Sequence, residues 1–445
     1  MKPWTHQQKS INFFQALEKT LDASDPGTGK TFVALTLFAK RRSKGGGKML
    51  ILAPKTLLES VWVVDAHKFY PSLRMSVSTA PDREKGFAAD ADVYITNTDA
   101  SKWLAKQKPA FFKEFDTLCI DELSYYKHRT SARSKAVKSI RPMFKYIHGM
   151  TGTPKARNIT DIWHQLMILD GGERLGQNYH RFQTVTCTPK QVGPSPRMVK
   201  WVDKPGINSV IAELIGDITM RHKFEACMDI PKNHMYTIPY TLTRRNMKQY
   251  ETMREEALLI LKEGDVTAVN QAVMRTKLLQ IAAGCIYTEE GSTILDTGRA
   301  ELVADLVEQR KHSIVFFNWR HQKQQLINEM EKRKIKYACI DGSVPKNKRA
   351  EIVSFYQAGA FQVLFLHPRT GAHGLTLTKG TATIFASPIY EPDVLKQAMH
   401  RIYRGGQTKK TETIFIEAVD TVESKVYQML FDGKTSMDSL LELLE

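Results

Sequence analysis

The segment Ala23-Ser-Asp-Pro-Gly-Thr-Gly-Lys-Thr31 gathers the residue types that hold a polyphosphate. Gly27 and Gly29 let the backbone curl so that successive N–H groups, that of Thr28 included, face one anion. The apolar run over 32–39 predicts a helix starting at the same point, and its N-terminus adds partial positive charge. Lys30 would then reach the β- and γ-phosphates of ATP, and the Thr31 hydroxyl would hold Mg2+. The strict form of this loop has glycine where Ser24 stands. Taken alone, the segment could also be a Gly-rich turn before a helix.

Asp121-Glu-Leu-Ser124 follows directly on the apolar run 117–120. A carboxylate at the end of a buried strand is where a phosphate-loop enzyme holds its metal ion. Asp121 would hold Mg2+ through water, and Glu122 would polarise the attacking water as general base. An isolated acidic pair is a solvated turn; downstream of the phosphate loop it has a chemical task. Thr151-Gly-Thr-Pro154 closes another apolar run, 146–150. There the hydroxyls of Thr151 and Thr153 around Gly152 could bond those carboxylates and sense the nucleotide. Far along the chain, Gln397-Ala-Met-His-Arg401-Ile-Tyr-Arg404-Gly-Gly-Gln407 sets two arginines three apart, on one face if the segment is helical. Guanidinium groups so placed suit a γ-phosphate presented from a facing domain.

These residues need strand ends to stand on, and the sequence supplies them. Short apolar or β-branched runs at 49–53, 93–96, 117–120 and 146–150 recur between helical patterns, and a second set comes at 313–317, 337–340, 363–366, 383–386 and 413–416. Such alternation predicts parallel sheets with crossover helices, and continuous rather than alternating apolar runs predict strands buried on both faces. The intervening stretch 161–294 reads as mainly helical, except for 235–242, which is expected to close the first sheet. The predicted fold is α/β: two lobes with parallel sheets joined by mainly helical insertions. Lobe one would span 1–243, with a helical insertion at about 161–232. Lobe two would span 244–445, with a helical protrusion at about 244–294.

The chain's 445 residues suit two domains better than one. Lys and Arg number 64 against 47 Asp and Glu, a formal charge of +17, which favours a polyanion partner. The five cysteines include no C-x-x-C pair, which argues against a disulfide framework or zinc ribbon and for a reducing compartment. No apolar run approaches a membrane span, and the N-terminus does not read as a signal peptide.

Together these motifs resemble the Swi/Snf-related ATPases of helicase superfamily two, over nearly the whole chain. The adenine-reading glutamine of that family corresponds to Gln7 in Pro3-Trp-Thr-His-Gln7, and its strand-Ala-Pro-Lys motif with a later tryptophan corresponds to Ala53-Pro-Lys55 and Trp62. The nucleotide loop, the acidic box and Thr-Gly-Thr-Pro all match in order. Arg221, Lys223, Pro231-Lys232 and Tyr250 fit the inter-lobe pattern, although Gln249 adjoins the tyrosine instead of standing apart from it. The 371–378 stretch resembles the motif where glycines bring backbone to nucleotide and track, with His373 and Thr376 departing from the usual residues. The resemblance implies two RecA-like lobes enclosing ATP, which Gly371 and Gln397 would also contact. It further implies hydrolysis with Mg2+ and stepping along double-stranded DNA without separating its strands.

On that basis the DNA contacts are expected at Lys55 and Thr56, at Asn97, at Asn318 and Arg320, and at Arg369 and Thr370, all at strand ends where backbone and basic groups can meet phosphates. Trp319 could stack on a base or simply pack. The motifs run from residue 3 to residue 407, so the expectation is a bare, monomeric motor without a membrane partner, in the cytoplasm of a bacterial cell or phage-infected host. The expected work is remodelling of protein–DNA or branched DNA. The alternatives are a strand-separating helicase, a restriction-system motor, or a nucleotide-switched DNA-binding scaffold.

Overall fold

Runs that are apolar without alternation end up between two layers of helices, and the strands of this protein do so twice. The computed structural model describes residues 2–55, 57–80, 82–152, 158–191, 199–227, 231–262, 268–288, 291–371, 375–389 and 391–431. Its contacts divide the chain into two units, Met1–Asp229 and Ile230–Glu445.

The first unit is built on strands β1 (Lys19–Asp22), β2 (Lys48–Ala53), β3 (Met75–Val77), β4 (Val93–Asn97), β5 (Phe115–Asp121) and β6 (Tyr146–Met150). A hairpin of β7 (Cys187–Gln191) and β8 (Val199–Asp203) comes next, then the two-residue β9 (Thr219–Met220). The main sheet runs β3-β4-β2-β5-β6-β1-β9, parallel throughout. Along β2, Leu50 and Leu52 enter one apolar core while Met49, Ile51 and Ala53 enter the core on the opposite face. Each buried leucine, isoleucine or methionine among them contributes about 1.5–3 kcal/mol, so both faces of the strand are held.

The second unit contains β10 (Asn233–Tyr240), a hairpin of β11 (Cys285–Thr288) and β12 (Gly291–Ile294), and strands β13 (Ser313–Phe316), β14 (Tyr337–Ile340), β15 (Val363–Leu366), β16 (Ala382–Phe385) and β17 (Thr411–Ala418). Its sheet, also parallel, runs β10-β17-β16-β13-β15-β14. Ile314 and Phe316 pack into one core and Val315 into the other. Beside this sheet, the buried Arg299 guanidinium donates to both carboxylate oxygens of Glu423 at 3.0 Å and to the carbonyls of Ala282 and Ala386. That set joins three helices (268–282, 298–308 and 422–431) to the core.

Two expectations need correction. The strand expected at 235–242 exists as β10, but it pairs with β17 over eight residues and extends the second sheet, not the first. The break between units accordingly falls at Asp229/Ile230, ahead of β10 rather than after it. Most of β10 is solvent-exposed, as befits an edge strand, and an edge strand's side chains do not reveal which sheet its backbone joins. The stretch 161–294 is also less purely helical than expected, since it contains β7 to β12.

Candidate nucleotide-binding site

In the first sheet β5, β6 and β1 are neighbours, so their carboxyl ends open side by side. Asp121 pairs with Met150, and Met150 in turn pairs with Asp22. The acidic pair, Thr151-Gly152 and the loop 23–31 therefore emerge at one edge of the sheet, the place where parallel α/β sheets take ligands. Thr151 is fully buried and its N–H donates to the Asp22 carbonyl at 3.0 Å. A Cβ on Gly152 would lie 3.2 Å from Pro26, which puts this turn directly against the phosphate loop. Thr153 and Pro154 lie outside the described residues.

The loop curls as its glycines permit. Gly27 and Gly29 take φ of 86° and 81°, and Gly29 caps helix α2 (Lys30–Arg42). Thr31 stands in the first turn of that helix. The Lys30 ammonium donates to the carbonyls of Ser24 (2.7 Å) and Asp25 (3.2 Å). A cation held on neutral carbonyls at the mouth of a loop is placed for anionic oxygens, which bind it more strongly.

Helix α1 (Thr5–Phe14) brings the glutamine to this loop. Gln7 accepts from the Trp4 N–H at 2.9 Å, while its amide donates toward the Thr28 carbonyl at 3.4 Å. The same carbonyl pairs with His6 Nε2 at 2.8 Å, a contact not expected from sequence. A side chain at position 29 would collide with the Gln7 amide.

Ser24, the departure from the strict loop, has a structural reason. Its hydroxyl oxygen accepts the His222 N–H at 3.0 Å, and Asp25 Oδ2 accepts the Phe224 N–H at 3.1 Å. The His222 ring meets the Ser10 hydroxyl at 2.9 Å. The segment after β9 is thus hooked onto the phosphate loop. Ser24→Gly, which restores the strict pattern, is expected to keep ATP turnover but to lower stability by about 1–2 kcal/mol, from one lost hydrogen bond and added chain entropy. Thermal denaturation beside a phosphate-release assay checks this; an unchanged midpoint would show that the Ser24 hydrogen bond contributes nothing.

Asp121 is buried at the end of β5, and its Oδ2 accepts the Trp62 indole N–H at 2.9 Å. Burial raises the pKa of this carboxyl, opposed by the indole hydrogen bond and the nearby Lys30 charge. Glu122 takes a left-handed conformation (φ 58°) that few residues other than glycine adopt, so the chain turns sharply at the acidic pair. The Thr31 hydroxyl and the Asp121 carboxylate are oxygen donors of the type that could hold Mg2+ beside nucleotide phosphates. Among the described residues, no group of three or more His, Cys, Asp or Glu forms a metal site by itself.

In the second unit the two arginines converge, although not as a helical face. The helix Pro392–Met399 ends before both of them. Turns over 400–406 bring Arg401 and Arg404 to the same carbonyl, that of Leu375, at 2.9 and 3.1 Å. Arg401 also donates to the Gln397 carbonyl at 2.9 Å, and Gln407 donates to the carbonyls of Thr378 and Gly380. The closing motif therefore grips the stretch beyond Gly371. Gly371 itself is buried, and a Cβ there would press on Leu366 at 2.8 Å. His373 lies outside the described residues.

Of the expected track residues, Lys55 and Arg320 are exposed and Asn97 ends β4, whereas Thr56 lies outside the described residues. Asn318 is engaged within its own unit, donating to the Ser387 hydroxyl and the Pro388 carbonyl. Arg369 is 77% exposed and pairs with Glu391 at 2.9 Å. The N–H of neighbouring Thr370 is bound to the His367 carbonyl. Trp319 packs against the core of the second unit's helical segment, so it is a packing residue here. No helix among the described residues is long and apolar enough to cross a membrane.

In comparison with known proteins, the SNF2-related domain family matches residues 6–285, and the helicase conserved C-terminal domain matches residues 298–406. Protein p41 of Acyrthosiphon pisum secondary endosymbiont phage 1 is 25% identical over 100% of this chain and 98% of its own length. The mouse (Mus musculus) DNA annealing helicase and endonuclease ZRANB3 is 25% identical over 92% of this chain, which spans 38% of that relative. A solved Sulfolobus solfataricus SWI2/SNF2 ATPase core in complex with dsDNA is 22% identical, with 97% and 91% of the two chains covered and a TM-score of 0.46.

Proposed function

Since this chain belongs to the SNF2-related ATPases of helicase superfamily two and is an ATP-hydrolysing enzyme of the helicase/translocase type, we propose that its track is double-stranded DNA and that it remodels protein–DNA or branched DNA in replication, recombination or repair. The observation that carries the catalytic half is the side-by-side opening of three strand ends, with phosphate loop, acidic pair and Thr151-Gly152 at one edge. In this reading Gln7 reads the adenine, and the N–H groups of 27–29 with Lys30 hold the phosphates. Thr31 and Asp121 would hold Mg2+, which would supply neutralising charge to the phosphates. Glu122 orients and deprotonates the attacking water, while Thr151 reports on the nucleotide. Of the second unit's residues, Gly371 and Gln397 are assigned to the nucleotide and Arg401 and Arg404 to the γ-phosphate.

The DNA half rests on the charge of +17 and on the printed DNA activity of the mouse relative. Exposed Lys55 and Arg320, with Asn97, Asn318, Arg369 and Thr370, are assigned to phosphate contacts, and the motor works as a monomer. The phage relative supports the cytoplasm of a bacterium or phage-infected host as its place of work.

Steady-state ATP hydrolysis, measured alone and then with duplex DNA, single-stranded DNA or RNA, tests the track. Strong stimulation by duplex, fading as salt rises, is the expected result. A preference for single strands or RNA would overturn the duplex assignment and place the chain among strand-separating helicases. Nucleotide binding without turnover would leave a DNA-binding switch instead of a motor.

A further inference from the structure

The carboxylate at the end of β5 has one oxygen occupied by a side chain that a packing role alone would not require. Trp62 is fully buried among Leu58, Ala66, Cys119 and Met150. That apolar surrounding offers nothing to the indole N–H, which needs a polar partner when buried. Its acceptor is Asp121 Oδ2 at 2.9 Å, a residue 59 positions later and the first member of the acidic pair. The local backbone is unusual as well. Leu58–Val63 forms a π-helical turn between β2 and helix α3 (Val64–Phe69). Such turns insert one residue into the helical repeat, rotate the rest of the helix about its axis, and cluster at functional sites.

A neutral donor on one carboxylate oxygen restrains rotation of the group without cancelling its charge. Partners of this kind behind a metal-holding carboxylate orient it and affect metal affinity strongly. We propose that Trp62 is a positioning residue for hydrolysis, its indole N–H fixing Asp121 in the orientation that receives Mg2+ with the nucleotide. This rests on the assignment of Asp121 to the metal.

The test is Trp62→Phe, which keeps an aromatic ring and removes the N–H. The affinity for a fluorescent ADP analogue is measured in EDTA and across a Mg2+ titration, with thermal denaturation alongside. In the variant the Mg2+ concentration for half-maximal effect should rise by about 10–100-fold, while binding in EDTA stays at the wild-type level. A Mg2+ dependence identical to wild type overturns the proposal, even if the melting temperature falls, because that pattern belongs to packing alone. If Trp62→Phe does not fold, the wild type answers through its ¹⁵N-indole spectrum. At least one exchange-protected signal should move when Mg2+ is added to the ADP-bound protein, and protected signals that all stay still overturn the proposal. If wild-type nucleotide binding is itself indifferent to Mg2+, the metal assignment of Asp121 fails first, and the role of Trp62 with it.

Discussion

A Lys30→Ala variant is expected to fold as the wild type does and to lose ATP turnover by at least about 10²–10³-fold, the scale seen when one preorganised donor to a developing charge is removed. The fold should survive because the ammonium donates to the loop carbonyls of Ser24 and Asp25, and the first turn of α2 is capped by Gly29 without it. Turnover should not survive, for two reasons that act together. The phosphates lose the cation at the mouth of the loop. Asp121 loses a positive charge that opposes the upward push of burial on its pKa, so the carboxylate becomes harder to keep ionised where Mg2+ needs it. Phosphate release, with circular dichroism as the control for folding, checks the prediction. Turnover near the wild-type rate would remove Lys30 from the catalytic assignment.

The second large effect is expected at Arg404. Arg404→Ala should bind nucleotide nearly as well as the wild type yet hydrolyse it about 10³–10⁵-fold more slowly, the range associated with loss of an arginine that meets the transferring phosphoryl group. Its neighbour is a less clean target. Arg401 is only 6% exposed and is tied to the carbonyls of Gln397 and Leu375, so Arg401→Ala would disturb the motif's own geometry as well as the chemistry. Arg404→Lys should recover little, because an ammonium lacks the planar fork of a guanidinium. Single-turnover hydrolysis set beside equilibrium binding of a fluorescent ADP analogue separates the two quantities, and normal turnover in Arg404→Ala would refute the role.

Much of this site was legible because its parts are local. The loop's glycines, the lysine beside them and the acidic pair each sit next to an apolar run, and strands buried on both faces make such runs stand out in sequence. What escaped was set by partners distant along the chain. The indole of Trp62 meets Asp121 across 59 residues, and the Ser24 hydroxyl meets His222 across 198. Neither pairing has a periodicity or spacing that would reveal it. The same holds for β10, whose run was recognisable as a strand while its pairing with β17 was not. Arg401 and Arg404 converge through turns after a helix rather than along its face, so their spacing anticipated the convergence but not its geometry. Strands β1 and β9 were missed for want of apolar signal: Lys19-Thr-Leu-Asp22 carries one apolar residue, and β9 is only two residues long.

The hook between the phosphate loop and the segment after β9 also orders events on the ribosome. Asp25 finds its Phe224 partner only after a further 199 residues have been made. At elongation rates of about 5–20 residues per second, that is a delay of roughly 10–40 s, during which the loop is exposed without the backbone that clasps Ser24 and Asp25. The nucleotide cradle of the first lobe is therefore among the last parts of that lobe to be completed during synthesis, although its residues are among the first to emerge.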